Sequence, residues 1–345
     1  MWCVSFSSSH KKTSKLSNII LHQFEGLHKL WDTPIYHIGY SSQGESSLFI
    51  LHTATKKVLY SMVIDCYEES SNETDKILDE WNLHKKVNLI IWTHPHDDHS
   101  VGMDHIIQNY SNKTTKIFTA NVFENYKQYS QKSQVIIKYL YSLNKGKRVS
   151  NKRNINPLRG FSDLIDKVDF NGLNVLKAMK IICIAPFPNL GGLAGMNKSK
   201  DINQMGIACI ITIRLENGNI NFMFAADMDN ATIELLDEQA DAYGIPRIYN
   251  YIKIPHHGSK KTLGLIDFLK QPDGEKSQYA STSVFKSKSL PVKEVLNGYK
   301  KVTNEIMCTS DITNEKYGVG IVHLKYNLNK MSVKKEYTGT ACTFA

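Results

Sequence analysis

The chain has 345 residues, of which 41% are apolar and 22% are charged. These proportions are those of an ordinary globular protein, and the length allows one large α/β domain or two small ones. No run of the sequence approaches the roughly 20 apolar residues that a membrane helix needs, so we expect no membrane partner. The polar, serine- and lysine-rich start of the chain does not resemble a secretory signal.

The cysteines bear on the cellular location. Six of them are scattered along the chain without a CxxC pair. Cys183 and Cys209 stand in apolar, strand-like runs, where a free cysteine behaves as a small hydrophobic residue. This pattern favours reduced thiols and predicts a cytoplasmic location rather than a disulfide framework.

The positive charge is unevenly distributed. The net charge is +9, and the segment 113–159 alone contains eleven Lys and Arg residues against one acid, Glu124. Two interpretations stay open for this segment. It is either a solvated surface with a lysine-biased composition or a face that binds a polyanion.

The predicted elements begin near Pro34. Residues 1–33 show no clear period, and we expect a partly disordered N-terminal segment. Three short apolar and aromatic runs then predict an antiparallel meander, at 35–40, 47–52 and 58–65. Two helices are predicted at 72–83 and 103–110, on either side of a buried strand at 88–93.

The middle of the chain contains the basic segment. Helical spacing over 121–145 is followed by a basic loop predicted over 145–160. We therefore place a basic helical and loop insertion at about 113–160. The remainder is rich in strands, with one amphipathic helix at 230–244. Strands are predicted from about 180 and at 207–213, 221–227, 251–255, 278–282, 305–309, 318–325 and 331–337. Because no repeat or linker interrupts the pattern, we predict a single domain over 34–345.

The densest group of ionisable residues follows the strand at 88–93 directly. His94, His96, Asp97, Asp98 and His99 stand within six residues. Imidazole and carboxylate are the expected ligands for zinc, manganese or iron. Side chains alternate with a period of two in extended chain, so His94 and His96 face one side, while Asp98 and His99 turn toward a second position. One short loop can therefore supply ligands to two adjacent metals.

Asp227 ends the apolar strand at 221–226, where a carboxylate can bridge two metals. The alternative is that it caps the following helix. Since Asp229 or Asn230 could act as the cap instead, we favour the ligand. A second strand end carries His256 and His257, followed by a glycine that allows close backbone approach.

These runs resemble a known superfamily. His94–His99 (HPHDDH) resembles the HxHxDH signature of the metallo-β-lactamase superfamily, and Ala225–Asp227 looks like its later strand-end aspartate. Ile254–Ser259 (IPHHGS) looks like the PHHGS motif of a subgroup that includes the hydrolase domain of ComEC-type DNA-uptake competence proteins and their stand-alone relatives. More weakly, Gly39–Ser47 resembles the GQGDS strand-turn of that subgroup, and Val63–Asp65 its VID strand.

The resemblance runs from about residue 35 to about residue 325. It implies an α/β fold, the four-layer αββα sandwich, with the active site at one edge of the two sheets. It also implies a role for each matching ligand. By this resemblance, His94 and His96 hold the first metal, and Asp98 and His99 hold the second. Asp227 bridges both metals, and His257 is the final ligand. Asp98 also becomes a candidate catalytic acceptor for a proton from the nucleophilic water.

Other residues follow less directly. His256 becomes a candidate catalytic residue that faces the substrate. Asp65 and Asp97 are candidates for orienting the ligand imidazoles, or are turn residues. Most dinuclear members have one more histidine before the bridging aspartate, and here that interval contains only His105. It stands too close to the motif to reach back, so we predict a structural role. The ComEC-type subgroup also lacks that ligand. Asn203–Gly206 is expected near the gap, and the first metal is expected to be weakly held or completed by water.

The ligands imply one or two divalent ions, zinc or manganese, which lower the pKa of a bound water toward neutrality. We predict a phosphodiesterase or nuclease that acts on DNA or RNA. The chain is basic, its segment 113–159 combines cations that attract phosphates with tyrosines that can stack on bases, and two lysines stand beside the histidine pair. The candidate nucleic-acid contacts are Lys145, Lys147, Arg148, Lys152, Arg153, Lys260 and Lys261.

Three alternatives stay open, because a fold does not determine a function. The first is a phosphoesterase for a small or lipid-linked phosphate. The second is a lactone or β-lactam hydrolase. The third is a metal-stabilised binding or effector protein without catalytic activity.

Overall fold

A computed structural model describes residues 32–123, 126–144, 154–157, 160–170, 175–188 and 202–345. Most of the predicted N-terminal segment lies outside these residues. So do five candidate nucleic-acid contacts: Lys145, Lys147, Arg148, Lys152 and Arg153. Within the described ranges, no helix has the length and apolar character needed to cross a bilayer.

Sixteen strands form the framework of the described part of the chain. In chain order they are β1 (Asp32–Gly39), β2 (Glu45–His52), β3 (Val58–Ile64), β4 (Leu89–Trp92), β5 (Lys116–Thr119), β6 (Asn154–Pro157), β7 (Leu164–Asp169), β8 (Leu176–Ala185), β9 (Ala208–Leu215), β10 (Gly218–Phe224), β11 (Tyr251–Lys253), β12 (Ser277–Thr282), β13 (Thr303–Cys308), β14 (Gly320–Asn327), β15 (Ser332–Gly339) and β16 (Cys342–Thr343). The first sheet has the order β15-β14-β1-β2-β3-β4-β5-β6, and the second β16-β13-β12-β11-β10-β9-β8-β7.

Helices cover the outer faces of both sheets. They are α1 (Glu73–Glu80), α2 (Met103–Tyr110), α3 (Gln131–Asn144), α4 (Asn230–Tyr243), α5 (Gly264–Leu269) and α6 (Lys293–Tyr299). One apolar cluster joins the first sheet to α1, α2 and α3, and another joins the second sheet to α4, α5 and α6. A third cluster lies between the sheets. The layers are therefore α, β, β and α, which confirms the predicted fold class.

The continuous apolar runs of the sequence follow from burial on both faces. In β2, Phe49 and Leu51 point into the layer between the sheets, whereas Leu48 and Ile50 point toward the helices. Because successive side chains alternate between the faces, a strand covered on both sides needs apolar residues at nearly every position.

The meander prediction is confirmed, since β1, β2 and β3 pair antiparallel. The basic segment differs from its prediction. The loop predicted over 145–160 is wrong for Asn154–Pro157, which forms β6 and pairs parallel with β5 at the edge of the first sheet. The helix predicted over 121–145 begins only at Gln131. The neighbouring strand stabilises β6 through backbone pairing, which a short polar sequence does not reveal.

Parallel strands in both sheets determine where the site lies. Strands β3 to β6 run parallel in the first sheet, and β10 to β13 run parallel in the second. The candidate ligands follow β4, β10 and β11 directly. Open α/β sheets bind ligands outside the carboxyl ends of their strands, and these residues occupy that position.

Candidate metal centre

All six predicted ligands lie together at this edge. One group of metal-ligating atoms comes from Glu45, His99, Asp227 and His257, and a second group comes from His94, His96 and Asp227; within each group the atoms lie within 4.8 Å of one another. Asp227 belongs to both groups, which is the position of a bridging carboxylate.

Asp98 joins the first group from the loop side. Its Oδ2 lies 3.0 Å from His257 Nε2 and 3.7 Å from His99 Nε2. We call Asp98, His99 and His257, with the shared Asp227, the inner half of the centre. His94 and His96, again with Asp227, form the outer half.

Hydrogen bonds fix both imidazoles of the inner half. His99 Nδ1 lies 2.8 Å from an oxygen of Asp65, to which it donates. The hydroxyl of Ser283 donates to Glu45, so its oxygen is free to accept from His257 Nδ1 at 2.7 Å. With Nδ1 held as a donor, the Nε2 atom of each ring faces the centre. This is the arrangement by which second partners orient ligand histidines in metal sites.

The two histidines of the outer half differ in burial. The Thr93 hydroxyl donates to Asp65 at 2.6 Å, so it accepts from His94 Nδ1 at 2.9 Å. His94 Nε2 then faces His96 Nδ1 at 3.1 Å and Asp227 Oδ2 at 3.8 Å. His94 is fully buried and His96 is half-buried.

Two buried atoms indicate that the centre suits a cation. Among the described residues, His99 Nε2 and Asp227 Oδ1 have no hydrogen-bond partner, and they lie 3.4 Å apart. Native proteins rarely leave such groups unsatisfied. A metal ion is a partner that both atoms could share, so the donor set fits a divalent ion.

The charges lead to the same conclusion. The described part of the site buries four carboxylates, Glu45, Asp65, Asp98 and Asp227, against one ammonium, that of Lys253. Burial of charge is costly unless it is compensated. Burial would lower the pKa of His99, but Asp227 and Asp98 raise it well above its usual value. The carboxylates around His99 therefore favour positive charge at this position, which a divalent ion would supply.

The backbone is strained at the same place. Positive φ angles of 56°, 45°, 47° and 51° occur at Asp65, Ala226, His256 and His257. Such conformations cost about 1–3 kcal/mol each in a residue with a side chain and are concentrated at functional sites. Gly258 follows with φ +71°, and a Cβ there would lie 2.7 Å from Pro291, which explains the glycine in the motif.

Asp229, and not Asp227, caps α4. The Asp229 carboxylate accepts a hydrogen bond from Thr232 N at 3.0 Å. The capping role is therefore filled by Asp229, and Asp227 faces the centre.

The other predicted residues lie around the centre. His256 is half-buried, with Nδ1 3.3 Å from Asn203 Nδ2. The predicted Asn203–Gly206 stretch is therefore beside His256. Asp97 is half-exposed and accepts a hydrogen bond from Ser130, so it points away from the imidazoles. Lys260 forms an exposed ion pair of 2.7 Å with Glu294, and Lys261 is exposed beside it.

His105 lies apart from the cluster. Its Nε2 is 2.8 Å from Asp75 Oδ1, which belongs to the neighbouring helix α1, and the side chain is half-exposed. The structure therefore places it in contacts between helices.

Three residues of the site had no role predicted from the sequence: Glu45, Lys253 and Ser283. Glu45 stands in the run that resembles GQGDS, but no role followed from that likeness. Lys253 offered a local signal, because it is a lone cation in the apolar run Tyr251–Ile254. Ser283 offered none.

The architecture and the cluster together define an αββα sandwich whose edge suits divalent metal binding. No family model and no curated protein sequence matches the chain. Solved structures resemble it distantly. The metallo-β-lactamase SMB-1 bound to 2-mercaptoethanesulfonate is 11% identical, with 67% of this chain and 83% of that chain covered and a TM-score of 0.33. The metallo-β-lactamase fold protein YhfI from Bacillus subtilis is 10% identical, with 88% and 100% covered and a TM-score of 0.40. A β-lactamase from Chitinophaga pinensis is 12% identical, with 77% and 91% covered and a TM-score of 0.33. At this distance, the fold assignment rests on the layers described above.

Proposed function

We propose that this protein is a metal-dependent hydrolase of the metallo-β-lactamase fold that cleaves phosphodiester bonds in nucleic acid. The observation that carries the proposal is Asp227, shared by two groups of ligands and lying 3.4 Å from His99 Nε2. A divalent ion bound by these residues would lower the pKa of water and polarise a phosphoryl oxygen.

The chain's own residues prepare this chemistry. Asp65 and Ser283 hold the Nδ1 atoms of His99 and His257, so that both Nε2 atoms face the centre. Asp98, whose Oδ2 lies 3.0 Å from His257 Nε2, is the proposed acceptor for the proton of the attacking water. His256, which is half-buried beside Asn203, is the proposed contact to an oxygen of the substrate.

Charge supports nucleic acid as the substrate. The net charge of +9 and the eleven cations of 113–159 favour a polyanion. A small phosphodiester is the second candidate. Lys260, a cation close in sequence to the histidine pair, is neutralised by Glu294 at 2.7 Å, which reduces its attraction for an extended backbone.

Hydrolysis of labelled DNA and RNA, compared with that of a small chromogenic phosphodiester under a series of zinc and manganese concentrations, tests the proposal. We expect metal-dependent cleavage of the polynucleotide that Asp98→Ala abolishes and His105→Ala preserves. Cleavage of the small ester alone would favour the second candidate. Bound metal without turnover of either phosphodiester would refute the proposed phosphodiesterase.

Binding tests the polyanion face separately. Neutralising Lys145, Lys147, Arg148, Lys152 and Arg153 together should weaken polynucleotide binding for all sequences. The slope of log affinity against log salt should fall by roughly 0.7 to 0.9 for each phosphate that the variant no longer neutralises. The variant should keep its metal and its activity on the small ester. Unchanged affinity and slope would remove the main support for a nuclease.

A further inference from the structure

Lys253 is a buried lysine that the proposed reaction does not use. Its side chain is 3% exposed, although lysine is almost never buried unless it is paired. On β11 it points to the same side as Tyr251, into the layer between the sheets. Its ammonium lies beside the buried carboxylates of Glu45 and Asp227, which compensate its charge.

The contacts of Lys253 join the two sheets at the metal centre. Its ammonium donates to Ala226 O at 2.8 Å, directly before Asp227, and lies 3.6 Å from Asp227 Oδ1. It also pairs closely with Glu45, which comes from the first sheet, whereas Lys253 and Asp227 come from the second.

Glu45 extends this connection to the other ligand of the second sheet. It accepts the hydroxyl proton of Ser283, and Ser283 in turn holds His257 Nδ1. The loop ligands belong to the first sheet, and Asp227 and His257 belong to the second. The spacing between the two sets therefore depends on a contact that crosses between the sheets.

We propose that Lys253 and Glu45 are positioning residues of the metal centre. Their ion pair holds Asp227 directly, and His257 through Ser283, at the distance from the loop ligands that a divalent ion requires. This inference rests on the metal centre of the proposed function. It goes beyond that function by assigning the geometry of the centre to a buried ion pair, in which Lys253 is not itself a ligand.

A purely structural ion pair predicts a different outcome. If the pair served stability alone, replacing both residues by neutral ones of similar size would leave metal binding intact, since such replacements are often neutral or stabilising. If the pair positions the ligands, metal affinity falls in the double variant even when the fold is stable.

The chain offers a matched control. Lys116 on β5 and Asp166 on β7 form a second ion pair between the sheets, with Nζ 2.7 Å from Oδ1. Lys116 stands at the amino end of its strand, at the edge opposite the metal centre. Replacing this pair tests the removal of a cross-sheet ion pair without touching the ligands.

The experiment titrates cobalt(II) into metal-free full-length protein and records both affinity and the visible absorption of the bound ion. We compare the wild type, Lys253→Met, Glu45→Gln, their double variant and the Lys116→Met/Asp166→Asn control, with thermal unfolding of each. We expect Lys253→Met and the double variant to bind cobalt about 10- to 100-fold more weakly, as for other outer-shell partners, with an altered spectrum. The control should match the wild type.

The double variant keeps the test decisive if a single variant does not fold, because it removes both charges of the Lys253–Glu45 pair together. Wild-type affinity and spectrum in the folded double variant would overturn the inference while leaving the proposed function intact. Absence of cobalt binding by the wild type would refute the metal centre itself, and the inference with it.

Discussion

The two halves of the metal centre share Asp227 but differ in how their ligands are held. In the inner half, His99 is held by Asp65 and His257 by Ser283, and both side chains are fully buried. In the outer half, His94 is held through Thr93, while His96 is half-buried and faces His94 Nε2 at 3.1 Å. The ligand imidazoles of the inner half are therefore both fully buried, whereas one imidazole of the outer half is only partly buried.

This difference implies an order of binding. The inner half offers Asp98, His99 and His257 besides Asp227, which is a complete set of four ligands. The outer half offers two imidazoles besides Asp227 and leaves a position for water or substrate, as catalytic metal sites do. We infer that the inner half binds the first ion and that the outer half is where the substrate enters.

The largest loss of metal affinity is expected at Asp227, which the two halves share. Asp227→Asn should weaken the binding of both ions by more than the about 100-fold that removal of an outer-shell partner can cost, because it removes a ligand charge from each half. Metal content after dialysis and cobalt titration measure this. Asp229→Asn is the matched control, since asparagine also caps helices, and it should bind metal normally. Retention of one tightly bound ion by Asp227→Asn would contradict a shared carboxylate.

Comparing His257→Ala with His96→Ala distinguishes the metal affinities of the two halves. His96→Ala should keep one ion at nearly the affinity of the wild type, because the inner set is complete without it. His257→Ala should weaken the first ion that binds. Isothermal titration with cobalt gives the number of ions and both affinities, and His105→Ala should behave as the wild type. The reverse order would show that the outer half is the stronger site.

Most of the ligands could be predicted from the sequence because they stand in runs directly after buried strands. The HPHDDH run, Asp227 and His257 each follow an apolar strand, and the carboxyl ends of parallel strands lie at one edge of a sheet. Of the residues that support the ligands, Asp65 was predicted as an orienting residue, but Glu45, Lys253 and Ser283 were not. Glu45 meets Ser283 across 238 positions of the chain, so their contact depends on how the two sheets pack.

The strands and helices also divide into those that the sequence predicts and those that depend on packing. The long apolar runs predicted β1 to β4 and the later strands of the second sheet, because burial on both faces requires such runs. The four-residue strands β5 and β6 and the short helices α5 and α6 were not predicted. Helices this short are marginal on their own, and their formation depends on tertiary packing.

A smaller loss of metal affinity is expected at Asp65, which supports one histidine in each half. Asp65 holds His99 directly and His94 through Thr93, so Asp65→Asn should weaken both ions by about 10- to 100-fold. Ser283→Ala should weaken the inner ion alone, because Ser283 contacts only His257 among the ligands described above. Cobalt titrations of the two variants, analysed for each ion, make the comparison. If Asp65→Asn and Ser283→Ala lowered the affinities of both ions equally, the proposal that Ser283 supports only the inner half would be contradicted.

The smallest effect, on kcat/KM, is expected at Asn203, which lies beside His256. Asn203 Nδ2 lies 3.3 Å from His256 Nδ1, and a net hydrogen bond is worth about 0.5–1.5 kcal/mol. Asn203→Ala should therefore lower kcat/KM for a small phosphodiester by only about 2- to 10-fold, because His256 is less well oriented toward the substrate. Cobalt affinity should not change, since the substitution removes a hydrogen bond to His256, which is not a ligand. Gln204→Ala is the control on the same turn, because Gln204 contacts Asp229 instead of His256, and its kcat/KM should equal that of the wild type. A fall in metal affinity in Asn203→Ala comparable to that of Asp65→Asn would instead assign Asn203 to holding the metal.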